Sequence, residues 1–278
     1  MAKRTGIVDK ASVIDAPLPQ QTKTYTPIPH QFVIDTALTN LTQSGFAITT
    51  EMYVANLGAK VASGKYLLNY GDDPEMGMMF AWSNSYDKTM RFKCAIGAYN
   101  KNNLNVILSA EMGNYNRIHK GTADKDTQAE IINQVTNAQM YYQQLMKDKE
   151  VMKTKTIDKK KASELFGRIY VEHNLLTNEQ LSVAVSEYRK PTFSYNAPKD
   201  SLWCFYNHIL FALQSAHPRD WMDQQTLIHW FICSEMNILS EVITPSQPSV
   251  ETESSNQLSF MDMLTEDYTK EFNNLDES

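Results

Sequence analysis

The stretch Gly77-Met-Met-Phe-Ala-Trp-Ser-Asn-Ser-Tyr-Asp-Lys-Thr-Met-Arg-Phe-Lys-Cys-Ala-Ile-Gly97 decides the fold of this chain. Two apolar-rich runs flank the polar link Ser85–Lys88, and this pattern is typical of a β-hairpin with a short loop. In the second run apolar and polar side chains alternate strictly, which is typical of a strand with one buried and one exposed face. The alternation predicts Phe92 and Cys94 in a core, and Arg91 and Lys93 on the solvent-exposed face.

The segments around this hairpin predict an α+β fold, with an antiparallel β-sheet flanked by helices. Apolar residues recur every three to four positions from Phe32 to Ser44, which predicts a helix. A second hairpin is expected around Leu57-Gly58-Ala59, with Gly64 as a possible β-bulge, and a further short strand from Leu104 to Ala110. Several strands between two helices favour an antiparallel sheet with helices on one face.

Changes in composition divide the chain into four segments. Residues 1–24 contain Pro17 and Pro19 and show little periodicity, so a disordered arm is expected. Residues 25–152 hold the predicted α+β core, and residues 153–241 predict a helical region packed on it. Residues 242–278 begin with a Pro- and Ser-rich linker, which predicts a disordered acidic tail with a docking motif.

The helices of the second half carry distinct signals. Thr127 to Met152 contains neither Gly nor Pro and predicts one long helix. Its near-heptad apolar seam suits packing across the sheet or against a second subunit, so a homo-oligomer is one expected state. Thr177 and Gln180 form a capping box, and Asp200 is expected to cap the helix that follows it.

Composition indicates a globular protein without a membrane segment. Charged residues make up 21% of the chain and hydrophobic residues 42%, and no apolar run approaches the length of about 18 residues that a membrane helix needs. No apolar stretch follows the charged N-terminus, so secretion is not expected. Cys94, Cys204 and Cys233 are scattered, which suits a reducing compartment and buried, unpaired thiols.

The net charge of −6 is unevenly distributed. Residues 240–278 hold nine acids and one lysine, a charge of −8, which leaves about +2 for the preceding residues. The acidic character therefore belongs to the tail, and the body of the protein is compatible with an anionic partner.

The sequence offers no motif for catalysis. It lacks a Gly-rich phosphate loop, a Gly-x-Ser-x-Gly elbow, a His-Glu-x-x-His pair and a Cys-x-x-Cys pair. Its six histidines are spread singly, and His208 and His229 on aromatic-rich helices are expected to be buried. Asp72, Asp73 and Glu75 form one acidic turn, which is a weak signal for a divalent ion. We therefore expect no enzymatic activity, no cofactor and no metal.

Cations and aromatic residues are interleaved around the hairpin. Single-strand binding needs this mixture, because cations follow the phosphate backbone while aromatic faces stack on bases. His119, between Arg117 and Gly121, also suits phosphate binding by charge-assisted hydrogen bonds. An ordinary solvated sheet surface is the alternative. The predicted nucleic-acid-binding residues are Tyr86, Lys88, Arg91, Lys93, Lys101, Arg117, His119 and Lys120.

Several short stretches resemble one family encoded by phages and plasmids, a domain of unknown function, number 932. They are Tyr25–His30, Glu75–Gly77, Trp82–Lys88, Ala95–Ala98, Arg117–Gly121 and Ser201–Asn207. The resemblance spans roughly Tyr25 to Ile232. The family's Cys-Asn-Gly element after the second hairpin strand has no counterpart here, where Tyr99 to Met112 offers asparagines alone. The resemblance implies a phage or mobile-DNA setting in the cytoplasm of a bacterial host and assigns no activity.

Three functions suit these observations. The first is a non-enzymatic phage protein of DNA metabolism that binds single-stranded DNA, since the order of helix, hairpins and long helix is also similar to that of phage single-strand annealing proteins. The second is an interaction protein that inhibits a host defence or replication factor. The third is a virion or assembly component.

The acidic tail contains one apolar island after its Pro- and Ser-rich linker. Gln257-Leu258-Ser259-Phe260-Met261 resembles the peptides with which bacterial replication and repair proteins dock on the sliding clamp. The resemblance implies that Gln257 bonds at the pocket rim while Leu258, Phe260 and Met261 fill an apolar groove. An amphipathic segment that folds back on the body, or a contact with another partner, are the alternatives.

Overall fold

The computed structural model describes residues 5–23, 25–108, 115–117 and 123–238. Within these residues seven strands form one antiparallel sheet: β1 (Thr5–Val8), β2 (Ala47–Asn56), β3 (Val61–Asn69), β4 (Met76–Ser85), β5 (Phe92–Asn100), β6 (Val106–Leu108) and β7 (Tyr115–Arg117). The first six follow one another across the sheet in chain order, and β7 pairs with β5. The predicted α+β class with an antiparallel sheet and flanking helices is confirmed.

The helices within the described residues are α1 (Lys10–Ile14), α2 (His30–Gln43), α3 (Ala123–Thr136), α4 (Ala138–Thr154), α5 (Lys159–Gly167), α6 (Asn178–Arg189), α7 (Leu202–Leu213) and α8 (Trp221–Glu235). A 3₁₀ turn over Leu57–Ala59 joins β2 to β3, and a π-helical turn over Arg168–Glu172 extends α5. Among the described helices, none combines the length and the apolar character needed to cross a bilayer.

The β4–β5 hairpin is confirmed, with a longer loop than the sequence predicts. The two strands pair from Met76 opposite Asn100 to Ser83 opposite Lys93. The loop covers residues 86–91, because Ser85 still pairs with β3. The side chain of Ser85 then closes the loop, since its hydroxyl donates to the carbonyl of Met90 at 3.0 Å and accepts from the Met90 N–H at 3.3 Å.

Both faces of the sheet are buried, which corrects the prediction for Lys93. Phe92 and Cys94 are fully buried against the layer of α2, α3 and α4, as predicted. The opposite face packs against the start of α8, and Lys93 is only 5% exposed. Lys93 forms an ion pair with Asp223 of α8. Alternation shows which side chains share a face of the strand, but not whether that face is exposed. Burial of Lys93 is favourable only because Asp223, far along the chain, pairs with it.

Trp221 anchors the start of α8 on this second face. Its indole N–H donates to the hydroxyl of Ser83 at 3.0 Å, and the ammonium of Lys65 lies 4.2 Å from its ring centroid. Burial lowers the pKa of Lys65 to about 8. Two lysines of the sheet therefore face the same helix, one through an ion pair and one through a cation–π contact.

The predicted disordered arm is wrong from Thr5 onward. β1 pairs with β2 from Thr5 opposite Asn56 to Val8 opposite Tyr53. Asp9 caps α1 by accepting the N–H of Ser12 at 2.6 Å, and Val13 of α1 is fully buried. A four-residue strand and a five-residue helix are too short to show periodicity. Their order comes from contacts elsewhere in the chain, because β1 pairs with β2, 45 to 51 positions away, and α1 packs on α2, β2 and the Leu57–Ala59 turn.

Gly64 lies in a regular part of β3, and the predicted bulge is found elsewhere. The register shifts between Ile48 and Thr50 of β2. A Cβ atom on Gly64 would lie 2.2 Å from the indole nitrogen of Trp82. That indole is held in place by its hydrogen bond to the Tyr66 hydroxyl at 2.9 Å. Glycine is needed here for the close approach of a side chain to the backbone.

The helix predictions hold in outline and fail at two positions. The capping box of Thr177 and Gln180 is confirmed. The predicted long helix breaks at Asn137 (φ −95°, ψ 7°) into α3 and α4, and its apolar seam is buried within the chain. Ser201, and not Asp200, caps α7 by accepting the N–H of Cys204 at 3.2 Å. Cys94, Cys204 and Cys233 are buried free thiols, as predicted.

The asparagine-rich loop after β5 joins the sheet to the region around α7. Asn105 donates to the backbone carbonyl of Asn207 at 3.0 Å, and Asn103 donates to the Tyr195 hydroxyl at 3.1 Å. Gln214 donates to the carbonyl of Asn103 at 2.7 Å. Asparagine side chains therefore hold the sheet and the helical region together at this loop.

Candidate nucleic-acid interface

Three loops meet at one end of the sheet. The backbone N–H of Tyr86 donates to the carbonyl of Lys60 at 2.6 Å, which joins the β4–β5 loop to the β2–β3 turn. The Tyr25 hydroxyl donates to the carbonyl of Ser85 at 3.3 Å, and Tyr25 also forms a β-bridge with Thr22. We call the surface formed by residues 22–23, 25–29, 57–60 and 86–91 the basic end.

Exposed lysines come from each of these loops. Lys23, Lys60 and Lys88 are all exposed. The Lys88 ammonium lies 4.7 Å from the ring centroid of Tyr25, so a cation–π contact holds its side chain over the neighbouring loop. Lys88 has a positive φ of 65°, an uncommon backbone conformation that places it at the tip of the hairpin loop. Arg91 follows at the end of the same loop and is half-buried.

Asp87 is the one acidic residue among the described residues of the basic end. Its carboxylate accepts the backbone N–H of Thr89 at 3.1 Å and the Thr89 hydroxyl at 2.5 Å. The carboxylate therefore closes its own loop in an Asx-type turn. The loops consequently leave an excess of positive charge at this end of the sheet.

Tyr86 does not offer a free aromatic face, which corrects its prediction as a base-stacking residue. Its side chain is 8% exposed, and its ring stacks on His30 with centroids 3.9 Å apart. Its hydroxyl accepts the backbone N–H of His30 at 2.7 Å. Because Pro29 precedes α2 without a side-chain cap, this hydroxyl takes the place of the missing cap. Burial raises the pKa of Tyr86.

The buried His30 side chain connects the β2–β3 turn to β4 beneath the basic end. Its Nε2 lies 2.9 Å from the Ala59 carbonyl, and its Nδ1 lies 3.0 Å from the side-chain nitrogen of Asn84. Since a carbonyl only accepts, Nε2 carries the hydrogen and Nδ1 accepts from Asn84. His30, Tyr86 and Asn84 therefore form the buried support on which the basic end rests.

The remaining predicted residues fall in different places. The backbone of Arg117 in β7 pairs opposite Phe92, next to Arg91 and thus close to the basic end. Lys101 lies beyond the other end of β5, about 30 Å away at 3.3 Å per residue, and its ammonium donates to the Asp73 carbonyl at 2.6 Å. His119 and Lys120 lie outside the described residues, as do Gln257, Leu258, Phe260 and Met261. The structure therefore gathers Lys88, Arg91 and the Arg117 backbone, and separates Lys93 and Lys101 from them.

The acidic turn around Asp73 is occupied by protein groups. Asp73 forms an ion pair with Lys149, whose side chain is 1% exposed. Burial opposes ionisation of Asp73, but Lys149 and the N–H groups of Met76 and Glu75 hold its pKa below the ordinary value. Glu75 is buried, lies 3.7 Å from the Lys153 ammonium and accepts the indole N–H of Trp203 at 3.2 Å. Two of the three acids of this turn, Asp73 and Glu75, therefore have a lysine as their charge partner.

A separate cluster offers ligand atoms of three kinds. Asp148, His229 and Cys233 are buried, and one ligand atom of each lies within 4.8 Å of the others. Burial lowers the pKa of His229, but Cys233 and Asp148 outweigh this and raise it to about 10. His229 is buried as the sequence predicts. The cluster itself was missed, because Asp148 is 81 positions from His229 and the only sequence signal is His-x-x-x-Cys on one helix.

No family model, curated protein or solved structure matches this chain. The resemblance to the phage and plasmid family, and every function that it implies, therefore stays a prediction. The case for a function rests on the geometry described above.

The basic end suits electrostatic contact with a phosphate backbone. Its lysines come from three loops that direct hydrogen bonds hold together, so the fold brings their backbones to one end of the sheet. Its aromatic residues Tyr25 and Tyr86 are buried, and they support the lysines and the start of α2 instead of offering stacking surfaces. Contact of this kind positions a nucleic acid without reading its sequence.

Proposed function

We propose that this protein is a non-enzymatic phage protein of DNA metabolism that binds single-stranded DNA through phosphate contacts at the basic end. The stacking part of the predicted mixture is absent from the described residues of the basic end, because Tyr25 and Tyr86 are buried, so the proposal rests on the lysines alone. The observation that carries the proposal is the convergence of exposed Lys23, Lys60 and Lys88 from three loops. Arg91 borders the same surface. The binding surface proposed here is the end of the sheet and not its face, because α8 covers the face that carries Lys93.

The strength of such an interface follows from the number of phosphate contacts. Each contact with a single strand contributes about −0.7 to the slope of log affinity against log salt concentration. Three or four lysines and arginines therefore give a slope of about −2 to −3, which corresponds to weak binding by one chain. A homo-oligomer would raise the affinity, since several basic ends would bind one strand together.

The test is a double substitution at the basic end with a matched control. Lys60→Ala with Lys88→Ala removes two exposed cations, so we expect weaker binding of a fluorescent oligothymidylate and a salt slope that is shallower by about 1.4. Fluorescence anisotropy over a salt series measures both quantities. The control is Lys159→Ala with Lys160→Ala, which removes two exposed lysines from the start of α5.

The two variants distinguish between two candidate binding surfaces. A loss in the first variant alone supports the basic end as the binding surface. A loss in the control alone moves the phosphate contacts to the lysine-rich start of α5. Equal affinity and slope in wild type and both variants would contradict the proposal.

A protein-interaction role is the second candidate, and the edge strand β1 favours it. Ile7 of β1 and Leu57 beside it are each 88% exposed. A cleft of about 650 Å³ lies between β1, α1 and the Leu57–Ala59 turn. An edge strand with exposed apolar side chains can accept a strand of a partner protein. If wild type shows no salt-dependent binding to single strands, this candidate replaces the first.

A further inference from the structure

Three side chains from two helices converge inside the helical layer. His229 and Cys233 lie one turn apart on α8, so their side chains point to the same side of the helix. Asp148 of α4 approaches them from across the interface. His229 Nε2 lies 3.3 Å from Asp148 Oδ2 and 3.5 Å from Cys233 Sγ. All three side chains are buried, with exposures of 3 to 6%.

The arrangement differs from that of a catalytic triad. In a triad the acid orients one nitrogen of the imidazole, and the nucleophile faces the other. Here Asp148 and Cys233 both face Nε2, while Nδ1 lies 3.0 Å from the Tyr206 hydroxyl. Nε2 offers one hydrogen or one lone pair, and neither can point well at both atoms. An ion placed between the three atoms would contact all of them.

We propose that Asp148, His229 and Cys233 bind one divalent transition-metal ion, and that Zn²⁺ is the ion that fits their donor atoms best. Zinc binds thiolate, imidazole and carboxylate at about 2.0–2.3 Å, in a tetrahedron. Two such ligands lie about 3.3 to 3.8 Å apart in that geometry. The two separations from His229 Nε2, 3.3 Å to Asp148 and 3.5 Å to Cys233, fall in this range. The ligand atoms of Asp148 and Cys233 lie within 4.8 Å of each other.

Charge and outer contacts also suit a metal ion. A carboxylate and a thiolate together neutralise the two charges of Zn²⁺, so the loaded site adds no net charge to the core. Tyr206 orients the imidazole through Nδ1, so that Nε2 faces Asp148 and Cys233, between which the ion would lie. Gln144 donates to Asp148 Oδ1 at 3.0 Å and orients the carboxylate in the same way. Outer hydrogen bonds of this kind are typical of metal sites.

The ion would join α4 to α8, and the site is independent of the basic end. α8 also carries Trp221 and Asp223, which bind the sheet. A metal ion at Asp148 would therefore fix the helix that covers the second face of the sheet. Because a bound metal stabilises the folded state alone, its removal should lower the melting temperature.

The first experiment measures metal in the full chain. Protein purified without chelators or an immobilised-metal column is expected to contain about one zinc per chain by mass spectrometry. Cobalt(II) chloride titrated into the metal-free wild type should give a sulfur-to-cobalt charge-transfer band and the visible bands of tetrahedral cobalt. The titration uses unaltered protein, so it does not depend on the folding of any variant.

Three substitutions then assign the site. Cys233→Ser should abolish the charge-transfer band, because it removes the sulfur ligand. Tyr206→Phe retains all three ligands and should weaken cobalt binding by about 10- to 100-fold. Cys94→Ser, a buried cysteine outside the cluster, is the matched control and should bind like wild type. A wild type that contains no metal and gives no cobalt band would overturn the proposal, as would equal loss in Cys94→Ser and Cys233→Ser.

Discussion

Buried lysines show how a single residue can escape prediction from sequence. Lys93 alternates with Phe92 and Cys94 as an exposed residue would, and Lys149 interrupts an apolar seam as a solvated residue would. Both are buried, because Asp223 and Asp73 lie opposite them. Each of these acids is at least 76 positions away along the chain. Periodicity reveals the face on which a lysine lies, and only the tertiary fold supplies the carboxylate that makes its burial favourable.

We expect Lys93→Ala to destabilise the fold by about 3–5 kcal/mol, because it leaves the carboxylate of Asp223 without its ammonium partner. The side chains of Lys93 and Asp223 are only 6% and 14% exposed, so water replaces the lost contact poorly. Urea unfolding measures the change in the free energy of unfolding. The control is Lys93→Met with Asp223→Leu, which replaces the pair by apolar groups and should lose much less stability.

A loss below about 1 kcal/mol in Lys93→Ala would contradict this account, since exposed ion pairs have that magnitude. The measured stability also decides how DNA binding by a Lys93 variant is interpreted. Weaker DNA binding by a Lys93 variant would report damage to the contact between the sheet and α8, and not a lost phosphate contact.

At the scale of elements, the sequence predicts those with a long regular pattern. The helix predicted from Phe32 to Ser44 is α2, and both hairpins are present because alternating runs lie on either side of polar turns. β1 and α1 are too short to carry such a pattern. The helix breaks at Asn137 although no glycine or proline lies there, so the sequence carries no signal for the break. Helices cover both faces of the sheet, although one covered face was expected.

The candidate sites also contain some residues that are neighbours in sequence and others that only the fold brings together. Lys88 and Arg91 could be predicted as neighbours, because one hairpin loop holds both. Lys23 and Lys60 reach the basic end only through the contacts of Tyr25 and Tyr86 with distant loops. Asp148 likewise reaches His229 through the packing of α4 on α8. Sequence patterns give local neighbours, whereas each site described here is assembled from loops or helices that meet in the fold.

The start of α2 gives a prediction for an element. Tyr86→Phe removes the hydroxyl that accepts the N–H of His30 and leaves the ring that stacks on the imidazole. We expect a loss of about 1–2 kcal/mol in the free energy of unfolding, because a buried helix N–H becomes unsatisfied. Chemical denaturation measures it. DNA affinity should stay at the wild-type value, because the lost hydroxyl bonds to the backbone of α2 inside the protein and the ring stays in place.

The control for this variant is Tyr170→Phe. Its hydroxyl bonds to Asn178 in an exposed contact, so water can replace that bond and a smaller loss is expected. An intact stability together with weaker DNA binding in Tyr86→Phe would contradict a structural role for Tyr86. It would restore the hypothesis that this residue contacts the nucleic acid.

At the scale of the whole molecule, the net negative charge belongs to the tail. The tail from residue 240 carries −8, and the preceding residues carry about +2. The proposed DNA surface lies in the residues before 240, and the clamp-like peptide lies in the acidic tail. The proposed DNA surface and the proposed docking peptide together suit a protein that acts where replication or repair is under way.

We propose that Gln257–Met261 docks on the sliding clamp of the bacterial host. A peptide of residues 254–264 is expected to bind purified clamp with a Kd on the order of 10–100 µM, about −5.5 to −7 kcal/mol. The affinity should be modest, because Phe260 stands where the clamp motif has Leu and Met261 takes the aromatic position. Isothermal titration calorimetry measures it directly.

A peptide with Gln257, Leu258 and Phe260 replaced by Ala is the matched control. It keeps the length and acidic charge of the natural segment and removes the hydrogen bond and the apolar anchors. Binding that survives these replacements would be electrostatic and would argue against clamp recognition. Absence of binding by the natural peptide at high micromolar concentration would also exclude the clamp, and a contact of this island with the protein body or with a different partner would take its place.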